Sequence, residues 1–353
     1  DDALNDQLRE LAVIVNGTPV RSLDVSAQLL SRKAGVADDG TPHIDYAFAT
    51  WHVAESLAHQ QSLRLGRVKV PFGFFNETRE SPFGRQEIFL PQSAYTDRIR
   101  NSVLLADELM YLGEWYTEQW NFGVKAGYGR SIPDKKELLD IFRAKVTLEN
   151  MEFSPTNTWN VQASADYNAG RFRFAFSRLV IPLDFAGTFR FSPTLAVDLN
   201  SVMKTYMNLF SFEWNEKNFS FTTELNSANV NYGKIKPLPS DPEYRDKPEG
   251  GYMQLKWHAT ASLDLFGRYE FNYYNRRDKM GRYYAERAGI EEFSRFAYER
   301  VYGVTYRPAD AWLIMAELHM INGTQWLTNR DMPADYEPKR HWNLAAVSVA
   351  WRF

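Results

Sequence analysis

The sequence predicts an all-β fold: a closed antiparallel barrel that spans a membrane, built as a single domain over residues 1–353. Three observations carry this reading. Segments of about ten residues alternate apolar and polar side chains with period two, the length and pattern of a tilted membrane-crossing strand. Short turns near 17–20, 58–60, 117–119, 168–170, 215–218, 260–262 and 308–310 alternate with long polar connections, as in a barrel with short turns at one end and long loops at the other. Aromatic residues, 19 Tyr, 24 Phe and 10 Trp in all, recur beside the short turns, where an interfacial girdle belongs.

The chain begins with a strand over 9–16 and a tight turn at Asn16-Gly17-Thr18-Pro19. In 22–32, Leu23, Val25, Ala27 and Leu29 alternate with Asp24, Ser26 and Gln28. A strand over 43–55 leads through a turn at Ala58–Gln60 into the next, where Leu63 and Leu65 flank Arg64, and Val68 and Val70 flank Lys69. The apolar parity changes across Gly66–Arg67, which marks a β-bulge, and Pro71 ends the strand. Residues 72–104 then carry many charges and aromatics with no sustained strand pattern. A loop of that length is functional or disordered, and its aromatics argue for a packed one, folded into the barrel as its constriction.

Strands return over 107–116, 120–129, 159–167 and 172–177. Residues 130–156 are a charged segment within which 143–151 offers a strand extension, and 182–201 reads as a loop. Further strands cover 210–214, 219–224, 253–257, 263–273, 295–307 and 311–321, separated on the long side by loops at 231–250 and 276–293. After a loop at 322–340, Ala345, Val347, Val349, Trp351 and Phe353 alternate with Ala346, Ser348, Ala350 and Arg352. The pattern gives fifteen strands. Single-chain bacterial barrels have an even number, so about sixteen are expected, one of them upstream of Asp1; a segment near 140–150 is the alternative source.

A net charge of −3 gives no reason to expect a nucleic-acid partner. The absence of cysteine excludes disulfides and thiolate metal sites. No apolar run is long enough for a membrane-spanning helix, which leaves a barrel open, since only alternate strand residues face lipid there. The six histidines lack metal-ligand spacing, and neither a G-x-S-x-G elbow nor a phosphate-binding glycine loop is present, so no cofactor, metal or enzymatic reaction is expected. A hydrolase using His319 with a nearby Ser is the weak enzymatic alternative.

The candidate pore-lining residues are Arg64, Arg67 and Lys69 on the entry strand, with Lys125, Arg171 and Arg173. The loop brings Glu77, Arg79, Glu80, Arg85, Glu87, Asp97, Arg98 and Arg100. Opposed charges across a narrow wet channel set a transverse field that sorts ions and polar solutes. The plainer reading is that these charges pair to pin the loop. Phe72, Phe74, Phe75, Phe83 and Phe89 serve more readily to pack the loop against the wall than to guide a substrate. The inward set Asp24, Ser26, Gln28, Asn160, Gln162, Ser164 and Ser348 is small and polar, which favours an open lumen over a plugged, partner-binding barrel.

The C-terminal strand AAVSVAWRF, the strand count, the long third loop and the segment LRLGRVKVPFGFFNETRE, with its G-R/K-x-x-x-P-F-G pattern, together resemble the Gram-negative outer-membrane porins, general or substrate-specific. The resemblance implies an exported chain without its signal peptide, in the bacterial outer membrane among its lipids and lipopolysaccharide. It also implies a homotrimer, passive diffusion of ions and small hydrophilic solutes, and Phe353 as the terminal signal read by barrel-assembly machinery. The chain departs from the family by its missing first strand. It also lacks the lysine cluster of the phosphate-selective type; arginines and carboxylates roughly balance in the loop.

Overall fold

Side chains of a β-strand point alternately to the two faces of its sheet, so period-two segments build a wall with two chemically distinct surfaces. The computed structural model describes residues 8–35, 38–85, 87–141, 147–192, 194–232, 246–327 and 337–353. Its strands are β1 (Arg9–Val20), β2 (Leu23–Ala34), β3 (Asp38–Asp39), β4 (His43–Glu55), β5 (His59–Lys69), β6 (Leu105–Tyr116), β7 (Trp120–Ser131), β8 (Thr147–Ser154), β9 (Asn157–Tyr167), β10 (Phe172–Ser192), β11 (Leu195–Asn215), β12 (Phe219–Tyr232), β13 (Glu249–His258), β14 (Leu263–Tyr273), β15 (Phe296–Ala309), β16 (Trp312–Asn322) and β17 (His341–Trp351). Four short α-helices lie in the connections: α1 (Pro82–Arg85), α2 (Arg100–Leu104), α3 (Lys135–Ile141) and α4 (Arg282–Ala288).

The strands form one 17-stranded sheet, with sequence neighbours paired antiparallel from β1–β2 to β16–β17. β8 adds no wall position: β9 covers β10 up to Val180, β8 covers it from Asp184, and β7 pairs directly with β9. With β8 and the two-residue β3 set aside, the wall has the fifteen strands that the alternation gives. The segment near 140–150, the alternative source of a sixteenth strand, contributes the start of β8, which pairs with β10; residues 142–146 lie outside the described residues. No ladder joins β1 to β17 among the described residues, so closure and a sixteenth strand are not displayed.

Three local expectations are corrected. The first chain reversal is at Arg21–Ser22, while Gly17–Pro19 fall in a register shift inside the β1–β2 ladder. Gly66 adopts φ +138°, and a Cβ there would lie 2.3 Å from the Ala47 carbonyl oxygen, yet the ladder from β5 to β6 runs unbroken through it. There is no bulge; the apolar parity changes because Leu65 is exposed on the outer face and Val68 and Val70 are buried on the inner one. The expected loop at 182–201 is instead largely strand: 182–192 and 195–201 are the upper parts of β10 and β11, each 21 residues long. At ~3.3 Å per residue these strands far exceed a bilayer crossing.

β10 shows the same exchange of faces. Phe172, Phe174 and Phe176 point outward, whereas Leu179, Ile181, Leu183 and Phe185, on the opposite parity, are buried inside. Leu183 and Phe185 pack in a cluster with Leu138 of α3, Met151, Phe189, Met203 and Val230, while Leu179 and Ile181 pack under the loop between β5 and β6. The outer face elsewhere is an apolar band, with Val13, Trp51, Leu65, Leu109, Phe176, Phe210, Leu255, Tyr302, Ile314 and Val347 all exposed. At the short-turn end, Trp120, Tyr167, Phe172, Trp214 and Phe219 touch ring to ring across five neighbouring strands, with centroids 4.8 to 6.3 Å apart. An apolar band ended by an aromatic row is the outer surface of a membrane-spanning barrel.

Candidate functional site

The segment between β5 and β6 lies inside the curve of the sheet and touches strands all the way round it. Arg85 pairs with Glu10 of β1 at 3.3 Å, and Asp97 with Arg32 of β2 at 3.4 Å. The Gly73 N–H donates to Ser177 Oγ of β10 at 3.0 Å, and the Ile88 N–H to Glu317 of β16 at 2.6 Å. Phe83 lies under the guanidinium of Arg352, 4.3 Å from its ring centroid, and like Ala346 and Ala350 of β17 packs against the cluster of Ile88, Leu313 and Met315. One loop tip therefore reaches both ends of the sheet, β1 through the Arg85–Glu10 pair and the residue that follows β17 through Phe83 and Arg352.

Two systems hold this loop. Toward β9–β16 the wall supplies carboxylates that accept the loop's backbone N–H groups. Glu224 accepts from the Phe74 N–H at 3.0 Å and from the hydroxyls of Tyr95, Tyr252 and Ser211 at 2.5, 2.8 and 2.5 Å. Glu270 accepts from the Ser93 N–H, and Glu317 also accepts from the Phe89 N–H at 3.4 Å. In return Arg268 donates to the Phe89 carbonyl at 3.1 Å, and Gln254 and Lys256 reach Glu87 at 2.7 and 3.4 Å. The space between is apolar: Phe72, Leu90 and Tyr95 of the loop bury against Leu179, Ile181, Met207, Leu209 and Tyr252 of the wall. Burial and the adjacent Glu224 push the Tyr95 hydroxyl well above its ordinary pKa, so it stays a donor.

Toward β1–β5 the loop is held by ion pairs. Lys69, Arg32, Arg79, Arg85 and Arg100 face Asp45, Glu80, Asp97, Asp38 and Glu10, charge for charge. The Arg79–Asp97 contact is 2.6 Å, Arg100–Glu80 2.8 Å and Lys69–Asp45 2.9 Å. Burial raises the Asp97 carboxyl, but Arg32, Arg79 and Arg100 around it override this and hold it well below the usual carboxylate range. Burial and the neighbouring Arg100 push Arg79 down to about 10, which leaves it charged at neutral pH. Such pairs fix geometry more than they add stability, because removing one partner strands the other charge without water.

Only part of the sequence-predicted set shares a wet surface. Arg64 is half-buried, with its guanidinium 4.1 Å from the Phe48 ring centroid and its Nε donating to Thr50 at 3.1 Å. Lys125 pairs with Glu77, each about a third exposed (32% and 30%). Arg173 pairs with Glu213 at 3.0 Å and Asp166 at 3.5 Å, over the Phe74 ring at 4.8 Å. The structure brings these together where the loop leaves β5. Arg67 is on the opposite face from Arg64, paired outward with Asp107 at 3.0 Å. Arg171 pairs with Glu216 at a short turn, and Arg98 sits half-buried on a turn of 3-10 helix at Asp97–Ile99.

The inward bulk was not visible in the small polar set. Gln28, Asn160 and Gln162 are buried, and the residues that fill the space are Glu224, Arg268, Glu270, Glu317 and His319. Among the described residues His319 bonds no Ser; its ring lies between Glu299 at 2.6 Å and Glu317 at 3.0 Å. A different line links Ser62 to His52 Nδ1 at 3.0 Å and His52 Nε2 to Asp24 at 2.8 Å. Ser62 is buried and β5 is laddered on both sides, so the line joins β2, β4 and β5 rather than presenting a nucleophile.

An antiparallel sheet with an apolar outside, an aromatic row and a charged loop folded within has the architecture of outer-membrane β-barrel proteins. Solved structures of that architecture resemble it throughout. Outer-membrane-expressed OmpT of Vibrio cholerae superposes with a TM-score of 0.56 at 10% identity, covering 97% of this chain and 88% of that one. The outer-membrane channel DcaP of Acinetobacter baumannii gives 0.53 at 13% identity, over 97% and 85%, and an anion-selective porin from Comamonas acidovorans gives 0.51 at 10%, over 90% and 79%. No protein-family model and no curated protein matches the chain. At these identities the likeness is one of fold.

Proposed function

We propose that the protein is an outer-membrane porin through which ions and small hydrophilic solutes diffuse passively, past a constriction made by residues 72–104. The observation that carries this reading is the wet, charged surface beside the loop, where Arg64, Glu77, Lys125, Asp166 and Arg173 face one another without being sealed from water. Passage depends on size and on the transverse field of these charges, with no covalent chemistry and no cofactor. The solved channels and porins of the same fold support it. A homotrimer is part of the proposal, in keeping with the trimer form described for V. cholerae OmpT.

A second reading is a barrel that does not conduct and acts as a structural or partner-binding protein. The dry contact between the loop and β9–β16 favours it. Single-channel recording in a planar bilayer under a salt gradient separates the two. Steady openings with three equal closing steps are expected of the trimeric porin. Absence of conductance from verified folded protein would sink the open-pore reading in favour of the plugged barrel.

A further inference from the structure

Glu108 is a buried carboxylate that lacks a counter-charge. It points inward from β6 and is 3% exposed, and Asn160, pointing inward from β9 on the far side of β7, is 2% exposed. The Asn160 Nδ2 donates to Glu108 Oε2 at 2.7 Å. The remaining oxygens, Glu108 Oε1 and Asn160 Oδ1, are buried with no hydrogen-bond partner among the described residues. Other buried glutamates face a cation: Glu80 has Arg100 at 2.8 Å, Glu87 has Lys256 at 3.4 Å and Glu270 has Arg268 at 3.7 Å. No charged side chain among the described residues acts on Glu108.

The backbone around it is bare. Gly66 and Gly129 stand in register with Glu108 on the two neighbouring strands, and Gly127 stands in register with Asn160. A Cβ at Gly129 would lie 2.4 Å from the Glu108 Cβ, and one at Gly127 would lie 2.5 Å from Oε1. The acid therefore lies down across β7 toward Asn160, along a path that only glycine leaves open.

Both orphaned atoms are acceptors, so only a donor or a cation completes them. A water molecule would supply two donors and still leave the negative charge buried and uncompensated. Carboxylate and amide oxygens are hard ligands, suited to alkali and alkaline-earth ions. A single positive charge neutralises one carboxylate, whereas a divalent ion would leave a surplus in the same dry space. No group of three His, Asp or Glu side chains suited to a metal gathers among the described residues. We infer that Glu108 and Asn160 hold a monovalent alkali cation, which ties β6 to β9 across β7.

The test combines sodium NMR relaxation with thermal unfolding of the full chain in neutral detergent. Sodium, potassium and N-methylglucamine chloride are the probes, at one ionic strength. Wild type should show a fast-relaxing bound sodium fraction that potassium displaces and N-methylglucamine does not. Its unfolding midpoint should be several degrees higher in either alkali salt than in N-methylglucamine, because a cation that binds only the folded state stabilises it. Glu108→Gln keeps the size of the side chain, removes its charge, and should lose both effects. Asn160→Asp doubles the negative charge and should shift the preference to calcium. Equal midpoints in the three salts, or a sodium signal that Glu108→Gln retains, would overturn the inference. So would a midpoint that follows pH and ignores the salt, which would assign the two oxygens to a shared proton.

Discussion

Arg64 and Arg67 lie on one strand, and the ladder turns them to opposite faces: Arg64 stacks on Phe48 inside, and Arg67 pairs with Asp107 outside. Arg64 forms no ion pair within 4 Å among the described residues, and with Glu77 nearby its charge would, on the porin proposal, be open to passing ions. Arg64→Glu should therefore shift the reversal potential in a salt gradient toward cation preference, and Arg67→Glu should leave it unchanged. An equal shift from both would place Arg67 on the conduction path.

Glu224 gathers four donors from loop and wall at the start of the constriction. Glu224→Ala leaves the Phe74 N–H and the buried hydroxyls of Tyr95 and Tyr252 without an acceptor, a loss of about 3 kcal/mol. The expected outcome is a folded barrel with a lower thermal transition, noisier open-channel current and faster proteolysis within 72–104. Quiet, wild-type recordings would show that the other anchors suffice.

Gly73 occupies φ +64°, and a Cβ there would lie 2.1 Å from the Tyr95 hydroxyl. Both facts forbid a side chain, one by backbone strain and one by contact. Gly73→Ala should displace the start of the loop while sparing the strands, read as several conductance levels in place of one with an unchanged far-ultraviolet circular dichroism spectrum.

Glu137 on α3 ties two connections together by accepting from the Asn101 N–H at 3.0 Å and from the Ser102 N–H and hydroxyl at 2.9 Å. Burial raises its carboxyl to about 7, above the ordinary 4.5, in spite of those bonds. A raised acid favours the folded arrangement in its protonated form, so its contribution is complete below about pH 4.5 and is lost as pH rises through 7. The change is at most about 3 kcal/mol. Hydrogen exchange at Asn101 and Ser102, corrected for intrinsic rates, should show easier opening at pH 8 than at pH 5, and Glu137→Gln should flatten the difference.

Much of the wall was legible because lipid imposes a rule on alternate residues. The runs Phe172-Phe174-Phe176 and Val347-Val349-Trp351 could only be strands, and the short turns followed from their spacing. The reading failed where that rule lapses. Above Arg178 the outward residues of β10 turn polar, with Asp184, Thr188 and Arg190, and the apolar ones turn inward toward α3, so 182–201 resembled a loop. The same inversion at Val68 and Val70 was mistaken for a bulge. Which loop charges face water depends on long-range pairs such as Asp97 with Arg32, which no local spacing encodes. The inward carboxylates Glu224, Glu270 and Glu317 were hidden because a strand carboxylate looks the same whether it lines water or accepts a backbone N–H.

The inversion of apolar faces also limits how permeation can be controlled. Val70, Leu179, Ile181, Met207, Leu209 and Tyr252 form an inner wall that is oily wherever the loop covers it. Swinging the loop aside would wet that surface together with Phe72, Leu90 and Tyr95, at a penalty on the order of 10 kcal/mol. Thermal motion does not reach such a state on the time scale of a current trace. On the porin proposal any gate would therefore be small, the reorientation of a side chain such as Arg64 or Lys125, and wholesale emptying of the bore would amount to unfolding its lining.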